Sequence, residues 1–398
     1  MLLASRLLVL ATGVLAAALI GHHEGNEAAF DVPGVTRPFD AAGDALFSPL
    51  ARWDAVWYLA IGLDGYGADP GPDAAFFPLY PLLVRAVGTA IGFGASPGSL
   101  LVAAYLVSLG ALAGALYLLH RLVTLELGRE HALPTLLLLS LFPAAFFLGA
   151  PYAESLFLLV SVAAFYAART GHWAWAGAAA AAASATRSAG ILLLLPLALF
   201  HLRARRGEGP RPARGSWGWL LLAPVGLVAF SIHLWIGTGD ALAPLEAQTA
   251  WYRHFAGPFL AIPDAAVAAF EGARQLLSGA RSPVYFEPAG GDPFEAARVN
   301  LMLFGFLVFA LVSAWGVVRH LPLPYGAYTV TALALPLSFP VDPQPLMSLP
   351  RFLCVLFPLF MWLALWTERR RVTAPALALF AALLVVLTAQ FATWQWVA

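Results

Sequence analysis

The chain reads as an all-α polytopic membrane protein with about eleven transmembrane helices, and two observations predict this. Hydrophobic residues fill 61% of its 398 positions and charged residues only 11%, against about 25% charged in soluble domains. The apolar residues also come in blocks of roughly 17 to 22, the length a helix needs to cross about 30 Å of hydrocarbon. Lipid offers the backbone no water, so such blocks must be helical.

Taken in order, the expected spans are 4–21, 98–119, 133–149, 152–168, 173–187, 189–202, 217–236, 299–318, 322–340, 352–367 and 374–394. The first is read as a span rather than a cleaved signal, because no clean small-x-small site precedes "GHHEG". "HLRARRGEGPRPARG" (201–215) carries five arginines and "ERRR" (368–371) three more. Positive loops stay in the cytoplasm, so counting from them puts Met1 inside and Ala398 outside. "FFPLYPLLVRAVGTAIG" (76–92), with its two prolines and Arg85, is expected to lie along the outer surface or enter partway rather than cross. Residues 1–398 then form a single transmembrane domain with two long extracytoplasmic loops, 22–97 and 237–298. The run "AGAAAAAASA" (176–185) suits close helix approach.

Net charge is zero, so nothing draws the chain toward nucleic acid. Every residue in the Lys+Arg count is Arg, which with the abundance of Ala suggests a high-GC bacterial genome. The single cysteine, Cys354, excludes an internal disulfide. The histidines show no HExxH spacing, and there is neither a Gly-Lys-Ser/Thr phosphate loop nor a GxSxG elbow. No metal and no cofactor is expected.

Chemistry concentrates on the outer side. In "LARWDAVWYLAIGLDGYG" (50–67), Trp53, Val56, Trp57, Ala60 and Ile61 form one helical stripe. It predicts an amphipathic helix in the membrane interface, its aromatics at headgroup depth. Asp54 lies at the stripe's edge, with Tyr58 one turn on. Asp54 is either a functional carboxylate or a helix-start residue paired with Arg52. Glu154 in "GAPYAESLF", beside Tyr152, is either a functional acid inside the bundle or a first-turn glutamate favoured by the helix dipole. Arg187 in "SATRSAG" and Arg351 in "SLPRFL" fall where topology disfavours positive charge. Such an arginine needs a partner: a phosphate matches its fork, and for Arg187 a salt bridge to Glu154 is the alternative. The second loop adds Asp240, Glu246, Gln248, Trp251, Arg253 and His254.

"RWDAVWYLAIGLDGYG", "AFFPLYPLL", "LFPAAFFLGAPYAESLF", "ASATRSAGIL" and "PRFLCVLFPLF" stand in the order and spacing seen in GPI mannosyltransferase 2 (PIG-V) and its bacterial relatives. The chain thus resembles the GT-C class of membrane glycosyltransferases from about Arg52 to Phe360, and "GDALAPLEAQTAWYRHFAGP" looks like the GD…Q…W segment of bacterial members. The resemblance implies an inverting enzyme of the bacterial plasma membrane. It takes a sugar, mannose first, from a polyprenyl-phosphate carrier on the outer face and needs no nucleotide there. It makes Asp54 the essential acid and carries the family's "APYxES" pair onto Tyr152 and Glu154. The family's two arginines fall on Arg187 and Arg351, here assigned to the donor phosphate. Arg52, Tyr58, Tyr152, Glu154, Gln248 and Trp251 are expected to bind substrate. Bacteria are not expected to make GPI anchors, so a glycolipid or cell-envelope glycan is the expected acceptor. The competing class is a transporter or flippase of a lipid-linked substrate; the two related halves with broken helices that many such folds show are not evident.

Overall fold

The computed structural model describes residues 2–67, 71–282, 292–342 and 344–397. The described residues form helices joined by turns and loops, with one isolated antiparallel bridge between Arg253 and Val341. Each of the eleven apolar blocks falls on helix. Six helices are long and apolar enough to cross a membrane: Leu2–Leu19, Pro97–Glu126, Ser188–Arg205, Ser216–Thr238, Pro293–His320 and Thr373–Ala392. The other five blocks are shorter or interrupted helices. Ala132–Leu141 stops before Pro143 and resumes as a 3₁₀ turn at Ala145–Leu148, because proline cannot donate into a continuing helix. Leu323–Ala334 gives way at Pro336. The eleven blocks are therefore not eleven equal crossings.

Leu79–Gly92 has 14 residues, about 21 Å of helix against the roughly 30 Å of hydrocarbon. Its buried residues Tyr80, Val84 and Gly88 recur every fourth position, while Leu82, Arg85 and Ile91 are exposed. That is the one-sided helix expected of this loop.

The bundle is built around Pro97–Glu126, which packs along Glu154–Arg169 and Leu79–Gly92. Trwo further packings follow from small residues. The Ala-rich Trp173–Thr186 helix lies against Val225–Thr238 and the Ser216–Leu222 turn. A Cβ on Gly226 would stand 2.3 Å from the Ala181 carbonyl oxygen, and one on Gly177 would stand 2.1 Å from that of Trp219. Only glycine permits backbones that close. The first helix belongs to the same body: it packs on Thr373–Ala392, and buried Arg6 donates to the carbonyls of Ser140 at 2.7 Å and Ala145 at 2.5 Å.

Charge separates along the bundle. Glu154–Arg169 begins at Glu154 and ends where Arg169 donates to Glu126 at 2.6 Å. At that same end His131 bonds Glu368, next to the "ERRR" loop. Leu194–Arg205 likewise runs from beside Arg187 into the arginine-rich 201–215 loop. Glu154 and Arg187 thus occupy the end opposite both basic loops.

Ala55–Asp64 has a protein-covered face: Ala55, Val56, Tyr58, Leu59 and Ile61 are buried, and the helix packs on Leu79–Gly92 and Pro97–Glu126. Trp53 meets Trp394 and Trp396 edge-on, at ring distances of 5.3 and 4.8 Å, and Trp57 stacks on Phe76 at 5.8 Å. The aromatics anchor the loop to protein. A stripe of helical period shows that one face is covered, whereas what covers it depends on residues far away in sequence.

Candidate active site

The end opposite the basic loops holds a cavity of about 470 Å³. Asp54, Tyr58 and Phe76 reach it from the first loop, Gln248, Trp251 and Arg253 from the second. Arg187 and Thr186 enter at the end of the Ala-rich helix, Arg351 and Phe352 from Leu349–Leu353, and Trp396 from the chain's last residues.

Local backbone explains how the charges arrive. Trp53, with φ 54°, sits in the left-handed region just before Asp54, an uncommon state for a bulky side chain. It separates two neighbours of opposite fate. Asp54 lines the cavity, whereas Arg52 is 2% exposed, with its guanidinium over the Trp394 ring at 4.9 Å. Arg187 is the extended residue, φ −156°, that ends the Ala-rich helix. Ser348, φ 68°, opens the short helix that carries Arg351. Glu154 is the first residue of its helix, where the dipole favours an anion.

The charged groups form a chain. Arg351 donates through Nη1 to Asp54 Oδ2 and through Nε to Glu154 Oε1. Arg187 Nη1 reaches the same Glu154 oxygen at 2.8 Å. Tyr58 Oη lies 3.4 Å from Arg351 Nη2, and the Tyr152 ring faces the Arg351 guanidinium at 4.9 Å. Burial pushes the Tyr58 phenol up, against the pull of Arg351, so Tyr58 stays a neutral hydrogen-bonding group. Glu154 is 0% exposed, and its Oε2 has no hydrogen-bond partner among the described residues. Asp54 keeps its side chain 26% exposed. Its Oδ1 has no hydrogen-bond partner among the described residues.

The expected residues therefore divide. Asp54, Tyr58, Arg187, Gln248, Trp251 and Arg351 share the cavity. Arg52, Tyr152 and Glu154 lie behind the lining, outside the residues that face the cavity. The Tyr152 hydroxyl donates to the Arg52 carbonyl at 2.8 Å, bracing the turn that presents Asp54. Arg52 itself points away, its Nε 3.4 Å from the Ala392 carbonyl. Arg52 and Asp54 are not a pair. Glu154 holds both arginines, and the salt bridge posed for Arg187 is present.

Trp396 and Arg253 are among the lining residues that had no assigned role. Trp396 follows the last apolar block, where tryptophan reads as a membrane-belt residue; the repeat in "TWQW" was the one available signal. Arg253 stood among the polar residues of the second loop without a function. For a metal, no group of three or more His, Cys, Asp or Glu side chains converges among the described residues.

An all-helical integral membrane protein with a carboxylate, arginines and aromatics around one end cavity is a plausible frame for sugar transfer, and the family comparison decides the class. Residues 1–202 match the family model of the mannosyltransferase PIG-V. That is half of the chain, which belongs to this family of membrane glycosyltransferases. No curated protein matches it. Among solved structures it is similar to the Archaeoglobus fulgidus oligosaccharyltransferase, a crystal structure with a tethered acceptor peptide containing the NVT sequon. Identity is 14% and TM-score 0.45, over 98% of this chain and 55% of that one. The chain thus spans about half the length of that enzyme, and a likeness this distant fixes neither fold nor activity.

Proposed function

We propose that the protein transfers mannose from a polyprenyl-phosphate carrier to a hydroxyl of a glycolipid or cell-envelope glycan, with inversion, on the extracytoplasmic face of a bacterial plasma membrane. The observation that carries this reading is Asp54. Its carboxylate lines a cavity that also holds arginines and aromatic rings, at the bundle end opposite the arginine-rich loops. Basic loops mark the cytoplasmic side, so the cavity faces outward.

In the proposed step the acceptor oxygen attacks the anomeric carbon as the bond from that carbon to the phosphate oxygen breaks. The bonding pair leaves with the polyprenyl phosphate, and the acceptor proton passes to Asp54 Oδ1. An inverting transfer needs one base opposite the leaving group. A phosphate monoester is a stable leaving group, so a general acid is unnecessary, and cationic side chains stabilise its growing charge. Arg351 orients Asp54 through Oδ2 and leaves Oδ1 for the proton.

The test is transfer of labelled mannose from polyprenyl-phosphate mannose into a new product by purified protein. Asp54→Asn is expected to fold in detergent and to lose turnover by about 10²- to 10⁴-fold. Turnover near wild type would remove Asp54 as the base. Movement of labelled lipid across vesicles without a new product would favour a transporter instead.

A further inference from the structure

The geometry points to Arg253 as the anchor for the phosphate of the lipid-linked donor, ahead of Arg187 and Arg351, which are already bonded to carboxylates. This inference rests on the polyprenyl-phosphate reading above and assigns the site within it.

The charge balance at the cavity is the starting point. Arg187, Arg351 and Arg253 bring three guanidiniums; Asp54 and Glu154 bring two carboxylates. Arg351 is held by both carboxylates and Arg187 by Glu154. No carboxylate pairs with Arg253 among the described residues. Its Nη2 donates to the Met347 carbonyl at 3.1 Å and its Nη1 lies 3.4 Å from that of Phe339. Its remaining N–H donors have no partner among the described residues. One guanidinium at the cavity therefore has no carboxylate bonded to it among the described residues, and its fork suits a phosphate.

The surroundings agree. The guanidinium is drawn down to about 10, first by withdrawal from water and then by the charge of Arg351, with Asp54 opposing only in part; an incoming anion would relieve both lowering effects. Tyr252, just before it, has φ 55°. The same left-handed state precedes Asp54 at Trp53, so both side chains enter the cavity from constrained turns, as functional residues do. The Arg253 guanidinium lies 6.0 Å from the Phe352 ring, whose other cation is Arg187 at 4.8 Å. A phosphate at Arg253 would thus sit beside the Arg187–Arg351 pair without breaking their bonds to Glu154 and Asp54.

The test is binding of farnesyl phosphate and of farnesol to the full-length protein in phospholipid-free detergent. Wild type is expected to favour the phosphate by about tenfold or more. Arg253→Gln should lose that preference while binding farnesol as before. Arg253→Lys, which keeps the charge without the fork, should recover part of it and serves if the Gln variant fails to fold. Arg187→Gln should keep most of the preference. The assignment is overturned if both Arg253 variants keep the full preference, or if they lose farnesol and farnesyl phosphate alike, as a purely structural clamp would. It also fails if phosphatidylglycerol at equal concentration displaces farnesyl phosphate, since the site would then take any lipid phosphate. Wild type without a preference would instead remove the donor reading itself along with this assignment.

Discussion

Arg187 Nη1 lies 2.8 Å from Glu154 Oε1, and Arg351 donates its Nε to that same oxygen. One fully buried carboxylate thus ties the end of the Ala-rich helix to the short Leu349–Leu353 helix. Breaking a buried pair by removing one partner costs roughly 3–5 kcal/mol, because the other charge is left unpaired. Glu154→Ala strands two arginines and should destabilise the protein by at least that range. Glu154→Gln, which keeps the volume and one acceptor, should lose less. Thermal unfolding in detergent measures both, and an alanine variant as stable as wild type would mean that the pairs contribute little.

Tyr152 predicts a subtler loss. Its hydroxyl donates to the Arg52 carbonyl at 2.8 Å while its ring faces Arg351. Tyr152→Phe removes the bond and keeps the ring. The Arg52 carbonyl keeps the Ala55 N–H at 3.1 Å, so the loss is that of one hydrogen bond, about 0.5–1.5 kcal/mol. The braced turn carries Asp54, so kcat should fall severalfold with the donor KM nearly constant. A change confined to KM would show that the hydroxyl touches substrate after all.

Which parts of this were legible in sequence follows a physical rule. The membrane converts span length into apolar run length, so all eleven blocks fall on helix. Interruptions at Pro143 and Pro336 shortened some of them, because a hydropathy run ignores whether each backbone donor is used. In the cavity, motif positions brought Asp54, Tyr58, Arg187 and Arg351 together. Direction was not legible. Arg52 and Asp54 are two residues apart and face different surroundings, since the left-handed Trp53 lies between them. Nor could pairing be read: which arginine lacks a carboxylate depends on contacts such as Arg351 with Glu154, 197 positions apart. The covering of Trp53 by Trp394 and Trp396 is equally long-range.

Trp396 gives the third prediction. Its ring lines the cavity and meets Trp53 edge-on at 4.8 Å, one residue from Asp54. Such an aromatic pair adds about 0.5–1.5 kcal/mol beyond its buried area. Trp396→Ala opens one wall but leaves the Trp53–Trp394 contact in place. The donor KM should rise by roughly threefold to tenfold with the fold retained. Unchanged steady-state kinetics would show that the tail's aromatic is packing alone.

Arg351 separates positioning from phosphate binding. The sequence pattern assigned it to the donor phosphate; in the structure it joins Asp54 to Glu154, with Tyr58 at 3.4 Å. Arg351→Ala releases the oxygen that orients the proposed base, so kcat should drop by about 10²-fold or more. The affinity for farnesyl phosphate should change less than about threefold, since the proposed phosphate anchor is Arg253. Arg351→Lys should recover little, because a single ammonium lacks the planar fork that serves two carboxylates at once. Single-turnover rates set against equilibrium binding make the distinction. A tenfold loss of phosphate affinity with the saturated rate intact would return Arg351 to the donor phosphate and leave Asp54 oriented by other means.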